Sequence, residues 1–382
     1  MFCSKSILKM LGLLAAATAL ELLGLFPQTN AIAQSAGDVY VLSNSSDGNA
    51  VIVFHRNESG TLEPAGRFST GGNGTGSRMS SQGAVILGQD NRMLFAVNAG
   101  SNSISAFSVS GDTLTLLQTI PSGGENPVSL TVRGDLLYVL NAGETPDISG
   151  FRIVPEESTR LVPIEGSTQA LPGGAAANPA EVSFTPEGSV LVVTERGTSQ
   201  FDSFTVSEEG RATSPQTYST ASTGPFGFQF AHNSVAIVAY TSDSAFHQGG
   251  AGSYKVTDAG QVDVITPDAS DNQTASSWMA VPINGRFAFT SNVRSGTISS
   301  FAVAPDSSIS LLQPVAASLR AGDGEESAAP SDLALSTGSR FLYVRNAANG
   351  TISGFMLHED GSLTPVTRAG ELPESAAGLA AR

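Results

Sequence analysis

A carboxylate beside a guanidinium, Glu195-Arg196, is the pair of side chains in this sequence best suited to hydrolytic chemistry. The pair follows a predicted β-strand, and Arg294 and Arg345 occupy corresponding turns further along the chain. A carboxylate can take a proton from an attacking water, and a guanidinium can stabilise the oxyanion that forms when a lactone or ester carbonyl is attacked. These four residues are therefore the candidate catalytic groups. The alternative is a solvated salt bridge between Glu195 and an arginine, which would contribute little.

A second set of residues is predicted to surround the same site and to contact a substrate. These candidates are Arg78, Asn98, Glu125, Asn141, Glu181, His247, Trp278, Asn292 and Asn346. The asparagines end predicted strands, where this side chain also commonly bonds its own turn, so a purely structural role is their alternative. Trp278 is the only tryptophan. It offers either a flat face to a sugar ring or packing between repeats.

Motifs for other chemistries are weak or missing. The four histidines have no metal-ligand spacing and no H-E-x-x-H motif occurs, so no cofactor is expected, although a divalent cation is not excluded. The sequence has no G-x-S-x-G nucleophile elbow. The run GGNGTG (Gly71 to Gly76) is followed by neither GK[ST] nor a predicted helix, so it is predicted to be a connector and not a phosphate loop. The acidic run from Gly322 to Glu326 is better explained by a solvated loop than by a calcium site.

A repeat along the chain positions these residues. Each unit has a second strand such as LLYVLN (Leu136 to Asn141) and a third strand with a central aromatic residue, and these aromatics are 44 to 54 residues apart. The seven aromatics are Phe54, Phe107, Phe151, Phe204, Tyr254, Phe301 and Phe355. A period near fifty with four strands per unit predicts an all-β fold, a seven-bladed β-propeller. The turns after the second strands then lie on one rim of the ring, which is why the candidates are expected to converge there.

The first and last units predict how the ring closes. Full units begin with an inner strand such as NPVSLTV (Asn126 to Val132), but the first unit begins with DVYVLSN (Asp38 to Asn44), which is already a second strand. The segment SAAGLAA (Ser375 to Ala381) has the pattern of an inner strand with nothing after it. We therefore expect residues 375–381 to complete the first blade, which removes two exposed sheet edges.

The N-terminal segment is predicted to be a secretory signal peptide. Lys5 and Lys9 precede an apolar run from Met10 to Phe26, and Ala31-Ile32-Ala33 provides a small-residue cleavage site. Residues 1–33 would be removed, and residues 34–382 would form a single propeller in the periplasm or outside the cell. Cys3 is the only cysteine, so disulfides would not stabilise the mature chain.

The charge of the chain argues against two kinds of partner. Its formal net charge is −15 at pH 7, and no basic run longer than two residues occurs. Nucleic acid and anionic membrane surfaces would repel such a protein. We expect the charge to aid solubility and the protein to be a monomer.

The repeated strands carry a resemblance to a known family. The sequences FTPEGSVLVVTERGTSQFDSFTV (Phe184 to Val206) and HEDGSLTPV (His358 to Val366) resemble repeats of the bacterial seven-bladed lactonase family, which includes 6-phosphogluconolactonase-like and 3-carboxymuconate cyclase-like propellers. The chain is also similar to YVTN-type propeller repeats. The resemblance implies a lactone hydrolase, and Glu195 matches the acidic residue that the family places after a second strand of a middle blade.

Two family motifs are altered in this chain. Asn126-Pro127-Val128 stands where the family has His-Pro-His, and Asn178-Pro179-Ala180-Glu181 stands where it has Gly-Pro-Arg-His. The missing histidines and arginine argue against a phosphorylated or carboxylated lactone. Two hypotheses result, an exported hydrolase of a small lactone and a non-catalytic propeller that binds a glycan, peptide or protein on its rim. The sequence leaves open whether the protein is an enzyme.

Overall fold

The strands form seven antiparallel sheets, six of them built from consecutive segments of the chain and one that also contains the C-terminal strand. The computed structural model describes residues 36–88, 90–154, 160–241, 246–320 and 326–382. Its contacts divide the chain into residues 1–34 and residues 35–382, and the sheets belong to the second unit. The predicted signal peptide, residues 1–33, and most of the acidic run at 322–326 lie outside the described residues.

Blades 1 to 4 take up the first half of the described chain. Blade 1 contains β1 (Gly37–Leu42), β2 (Ala50–Arg56) and β3 (Leu62–Ser69). Blade 2 contains β4 (Val85–Leu87), β5 (Met93–Asn98), β6 (Ser103–Ser110) and β7 (Thr113–Pro121). Blade 3 contains β8 (Pro127–Arg133), β9 (Leu136–Asn141), β10 (Asp147–Val154) and an outer strand in two pieces, β11 (Arg160–Pro163) and β12 (Gln169–Ala170). Blade 4 contains β13 (Pro179–Phe184), β14 (Val190–Glu195), β15 (Gln200–Thr205) and β16 (Gln216–Ser219).

Blades 5 to 7 and the closing strand follow. Blade 5 contains β17 (Pro225–Ala231), β18 (Val235–Tyr240), β19 (Gly250–Val256) and β20 (Val262–Ser270). Blade 6 contains β21 (Ser276–Ala280), β22 (Phe287–Asn292), β23 (Thr297–Val303) and β24 (Ile309–Ser318). Blade 7 contains β25 (Pro330–Leu335), β26 (Phe341–Asn346), β27 (Thr351–Leu357) and β28 (Leu363–Ala369), and the last strand is β29 (Ala377–Ala381). Short 3-10 turns lie at Ala99–Ser101, Gly174–Ala176 and His232–Ser234.

The blades form a closed ring, which confirms the seven-bladed propeller. The inner strands contact one another in the cyclic order β29, β4, β8, β13, β17, β21, β25 and back to β29. All seven predicted aromatics are buried between blades, with exposed fractions of 5% or less. Second strands such as β9 and β14 are buried along almost their whole length because both faces of a blade pack on neighbours, whereas outer strands such as β3 and β20 are partly exposed.

The C-terminal strand closes the first blade, as the sequence predicts. Strand β29 pairs antiparallel with β1, with Tyr40 opposite Ala380 and Leu42 opposite Ala377. Beyond the strand, Arg382 donates from Nη2 and Nε to Oδ2 of the buried Asp38, at 2.6 and 3.0 Å. Blade 1 is therefore built from both ends of the propeller.

Candidate functional site

The connector between blades 1 and 2 crosses the centre of the ring. Residues 78–82, here called the plug segment, are held by inner strands of several blades. Trp278 donates from Nε1 to the Ser81 carbonyl at 2.8 Å, and the Gln82 amide group bonds both backbone atoms of Met279, at 3.0 and 2.9 Å. Gln82 N also donates to Ala180 O at 3.0 Å. The plug segment therefore separates the rim that carries the predicted site from the other end of the channel.

A cavity of about 250 Å³ lies on the predicted rim beside the plug segment. Four of the predicted residues with guanidinium groups line it, together with two aromatic side chains. Its lining includes Arg78, Arg196, Arg294, Arg345, Phe226, Trp278, Ser277 and Ser331. We call it the arginine cavity. The structure thus brings together the three predicted catalytic arginines, Arg78 and Trp278.

Neighbouring groups hold two of these arginines in place. The Arg196 guanidinium lies 5.5 Å above the centre of the Phe226 ring. With the Asn178 amide turned so that its oxygen faces this guanidinium, Asn178 Oδ1 accepts from Arg196 Nε and Nη2 at 3.1 and 2.6 Å. Arg78 Nη2 donates to Ala347 O at 3.4 Å and lies 3.4 Å from the exposed Glu374 carboxylate. Phe226 packs edge-on against Trp278 with ring centres 4.8 Å apart.

Arg345 is the most deeply placed cation of the cavity. Its side chain is buried, and among the described residues its Nε atom has no hydrogen-bond acceptor. Burial lowers the pKa of Arg345 to about 10, and the nearby Asp332 carboxyl opposes that shift. Arg345 therefore keeps its charge at neutral pH and has a donor available for a ligand.

Glu195 does not reach the arginine cavity. The side chain is fully buried inside blade 4. Oε1 accepts a bond from Gly173 N at 3.0 Å, Oε2 accepts from Thr198 Oγ1, and the Asp202 carboxyl lies against the same group. The last residue of a second strand points into its own hairpin, so the proposed general base contacts that hairpin and the connector before blade 4 instead of facing the cavity.

The asparagines at corresponding positions have the same orientation. Asn98, Asn292 and Asn346 are buried, and each amide nitrogen donates to the hydroxyl oxygens five and seven residues later. Asn141 donates in the same way to Asp147 Oδ1 at 2.9 Å. Their placement agrees with the structural alternative, a side-chain bond that holds the hairpin, and none of them lines the arginine cavity.

The remaining candidates also lie away from this cavity. Glu125 is exposed beside Gly143. His247 bonds Asn272 O through Nδ1 at 2.8 Å. Glu181 lies on the other side of the plug segment, where it lines a separate cavity of about 400 Å³ with Gln82, Gln229 and Asp332. Glu181 is buried, and its Oε2 accepts from Phe228 N at 2.7 Å.

Burial raises the pKa of Glu181 well above its usual value, and the Asp332 charge adds to the effect. A carboxyl whose pKa is raised by folding retains its proton longer in the folded state, so the free energy of unfolding falls as pH rises above the unfolded value. Glu181→Gln should therefore stabilise the protein at pH 8 and have much less effect at pH 4. Thermal unfolding at both pH values tests this. The exposed Glu125→Gln is the matched control, and an equal effect of Glu181→Gln at both pH values would contradict the shift.

Some groups at the site could not be found from sequence patterns. Phe226 orients Arg196, and Ser81 and Gln82 hold the plug segment, but none of these three residues belongs to a motif. Asn178, which also orients Arg196, stands in an altered family motif that gave no sign of this role. In the sequence, the glycine-rich run from Gly71 to Gly76 before the plug segment was the feature that indicated an unusual loop at this place. In the described parts of the chain no three His, Cys, Asp or Glu side chains are grouped as metal ligands. No helix among the described residues has the length and apolarity needed to cross a membrane.

Comparisons with known proteins agree with the architecture. Residues 38–170 match the family described as lactonase, 7-bladed β-propeller. The structure is similar to a putative 6-phosphogluconolactonase from Bacteroides uniformis, with 18% identity, a TM-score of 0.67, and 90% of this chain and 99% of that chain covered. It is also similar to the periplasmic gluconolactonase of Pseudomonas aeruginosa, with 15% identity, a TM-score of 0.66, and 90% and 99% covered. No curated protein matches the sequence. At these identities the structural likeness establishes the fold.

Proposed function

Because this chain is a seven-bladed β-propeller whose residues 38–170 match the lactonase family, we propose that it hydrolyses a small lactone that carries an anionic group, bound in the arginine cavity. The observation that supports this function is the convergence of Arg78, Arg196, Arg294 and Arg345 on a space of about 250 Å³. Guanidinium groups bind carboxylate and phosphate through paired, charge-assisted hydrogen bonds. The altered family motifs argue against an anionic lactone, but the arginine cluster supplies the positive charge that those motifs lack.

The arginines have two tasks in this reaction. The exposed Arg78 and Arg294 hold the anionic substituent at the mouth of the cavity. The buried Arg345 donates to the carbonyl oxygen, whose negative charge grows when hydroxide adds to the carbonyl carbon. The ring C–O bond then breaks, the leaving alkoxide takes a proton from water and regenerates hydroxide, and the new carboxylic acid of the product ionises at neutral pH. Each turnover releases one proton to the solution.

The attacking nucleophile has to come from solvent without help from a carboxylate or imidazole. Among the described residues that line the arginine cavity there is no Asp, Glu or His. The rate should therefore rise in proportion to hydroxide between about pH 6 and pH 8, because no base of the cavity titrates there. A plateau within that range would instead indicate a general base.

A pH-stat assay with two matched substrates tests the function. Glucaro-γ-lactone carries a carboxylate where glucono-γ-lactone carries a neutral hydroxymethyl group. We expect kcat/KM for the acidic lactone to exceed that for the neutral one about tenfold, since one charge-assisted bond is worth about 1.5 kcal/mol. Arg294→Gln should remove most of this preference and leave the fold unchanged, because Arg294 is exposed. Arg92→Gln, at an exposed turn of blade 2, is the control.

The Glu195→Gln variant tests the expectation from the sequence that Glu195 is the general base. Turnover should persist in this variant, because Glu195 is buried and its carboxylate bonds Gly173 N and Thr198 Oγ1. Complete loss of turnover in a folded Glu195→Gln protein would restore Glu195 as the general base. No turnover of either lactone by the wild-type protein would contradict the hydrolase.

A non-catalytic binding propeller is the second candidate, and the cavity's lack of a described acid or base favours it. Binding of glucaric acid without turnover of its lactone would identify this function.

For either function we propose that the protein is exported. The support is the predicted signal peptide at residues 1–33 and the likeness to a protein named a periplasmic gluconolactonase.

A further inference from the structure

A second and larger cavity adjoins the arginine cavity. It measures about 540 Å³ and shares Arg78, Met79 and Ser80 of the plug segment with the arginine cavity. We call it the amide cavity, because Asn126 and Asn178 line it. The arginine cavity alone is smaller than the roughly 300–1,000 Å³ that small-molecule sites occupy, whereas the two cavities joined fall within that range. The plug segment thus forms a ridge between two connected spaces.

The two spaces differ in chemical character. Apart from Arg78, the described residues that line the amide cavity are uncharged. Thr75, Ser77, Asn126 and Asn178 contribute hydroxyl and amide groups, while Pro146 and Val128 contribute apolar surface. Hydroxyl and amide groups beside apolar patches suit a neutral sugar ring, which offers hydroxyl groups at its edge and C–H groups on its faces. Among the described residues of this cavity, Arg78 at the ridge is therefore the one that would favour a charged ligand.

Asn126 and Asn178 are both held in unusual backbone conformations. Their φ angles are +55° and +43°, in the left-handed region that asparagine tolerates better than most residues. Asn126 is fixed by bonds from its own N to Asn102 Oδ1 at 2.8 Å and from its Nδ2 to Ala142 O at 3.3 Å. Asn178 lines the amide cavity and at the same time orients Arg196 of the arginine cavity. The two spaces therefore share a positioning group as well as the plug segment.

We propose that the amide cavity is a subsite for a neutral sugar unit attached to the acidic unit that binds the arginines. The ligand class is accordingly an acidic disaccharide or longer saccharide, and not a single acidic sugar. The identification of the acidic unit as a lactone rests on the proposed function. The existence of the subsite does not depend on that function.

Binding of non-hydrolysable probes tests the subsite without any need for catalysis. The probes are methyl glucuronide and an aldobiouronic acid in which glucuronic acid is joined to xylose, with affinities measured by isothermal titration calorimetry. We expect the disaccharide to bind about tenfold more tightly than the monosaccharide. Ala175→Trp should abolish this difference and leave methyl glucuronide binding unchanged, because Ala175 is exposed and lines only the amide cavity. Ala176→Trp is the control, since the exposed Ala176 lines neither cavity.

The outcomes distinguish the subsite from the hydrolase. Equal affinity for the two probes, no binding of either probe, or an equal loss of both in Ala175→Trp would overturn the subsite. A tenfold preference for the disaccharide that disappears in Ala175→Trp supports the subsite even if no lactone is turned over in the pH-stat assay. Turnover of glucaro-γ-lactone by a protein that shows no disaccharide preference would keep the hydrolase and reject the subsite.

Discussion

Removing residues 375–382 should lower the melting temperature by about 10 °C. The deletion removes β29, which supplies the inner strand of blade 1 and the contact of that blade with blades 7 and 2. Burial of Leu379 contributes about 2 kcal/mol, and the strand's backbone bonds to β1 contribute about 1 kcal/mol each. The total is about 5 kcal/mol, and in a domain of this size each kcal/mol changes the melting temperature by about 2 °C. The deletion also leaves β1 exposed as an open edge.

Two further experiments, one with an added peptide and one with a variant of the intact protein, make this test specific to the strand. A synthetic peptide of residues 375–382, added in excess to the shortened protein, should recover part of the lost stability, because binding to the folded state alone stabilises it. Gly378→Ala should destabilise the intact protein, since Gly378 has φ of +68° and a Cβ there would lie 2.9 Å from Val85 Cγ1. A shortened protein with the melting temperature of the full chain would contradict closure by β29.

The period of the repeat was sufficient to predict the fold. Seven aromatics at near-constant spacing defined the blades, and the missing inner strand of the first unit pointed to residues 375–381. Such predictions succeed because each blade can bury its faces only against its neighbours, so the same pattern of residues must recur in every unit. The interruption of the outer strand of blade 3 was not foreseen, since an outer strand is partly exposed and its pattern is weakly constrained.

The candidate site was predicted in part, for a reason that lies in strand geometry. Side chains of successive strand residues point to opposite sides, so a shift of one residue decides which group faces the channel. Arg345 precedes the strand-end asparagine and Arg196 follows Glu195, and both line the arginine cavity. Glu195 has the position of the asparagines and points into its hairpin as they do. Comparison of the repeats within the sequence identified Glu195 as unusual, but it did not give the direction of the Glu195 side chain.

The carboxyl pair of blade 4 should make the stability of the protein depend on pH. In three other blades an asparagine amide donates to a serine hydroxyl seven residues later, as Asn98 does to Ser105 at 2.8 Å. Blade 4 has Glu195 and Asp202 at these two positions, and both are buried. Asp202 Oδ1 accepts from Thr217 Oγ1 at 2.7 Å, but Oδ2 has no donor among the described residues. Two facing carboxyl groups can reproduce the hydrogen bond of the other blades only if they share a proton.

Burial and the neighbouring Glu195 raise the pKa of Asp202 to about 8, from 3.8 in the unfolded chain. Between these two values the folded state holds a proton that the unfolded state has lost, so the free energy of unfolding falls as pH rises. One proton gives a slope of at most about 1.4 kcal/mol per pH unit, and the loss ends near pH 8. We therefore expect wild-type stability to decline between pH 5 and pH 8 partly because Asp202 loses its proton.

Replacing the carboxylate acceptor with an amide should remove this part of the decline. In Glu195→Gln the amide oxygen can still accept from Gly173 N, and the amide nitrogen can donate to an ionised Asp202, as asparagine donates to serine elsewhere. The variant should be more stable than the wild type by about 2 kcal/mol or more at pH 8 and nearly equal at pH 4. Urea unfolding across this range measures the difference, and Glu208→Gln, an exposed change in the same blade, is the control. Since Glu181 titrates in both proteins, only the difference between them reports on the pair. Parallel stability curves for wild type and Glu195→Gln would show that no proton is shared.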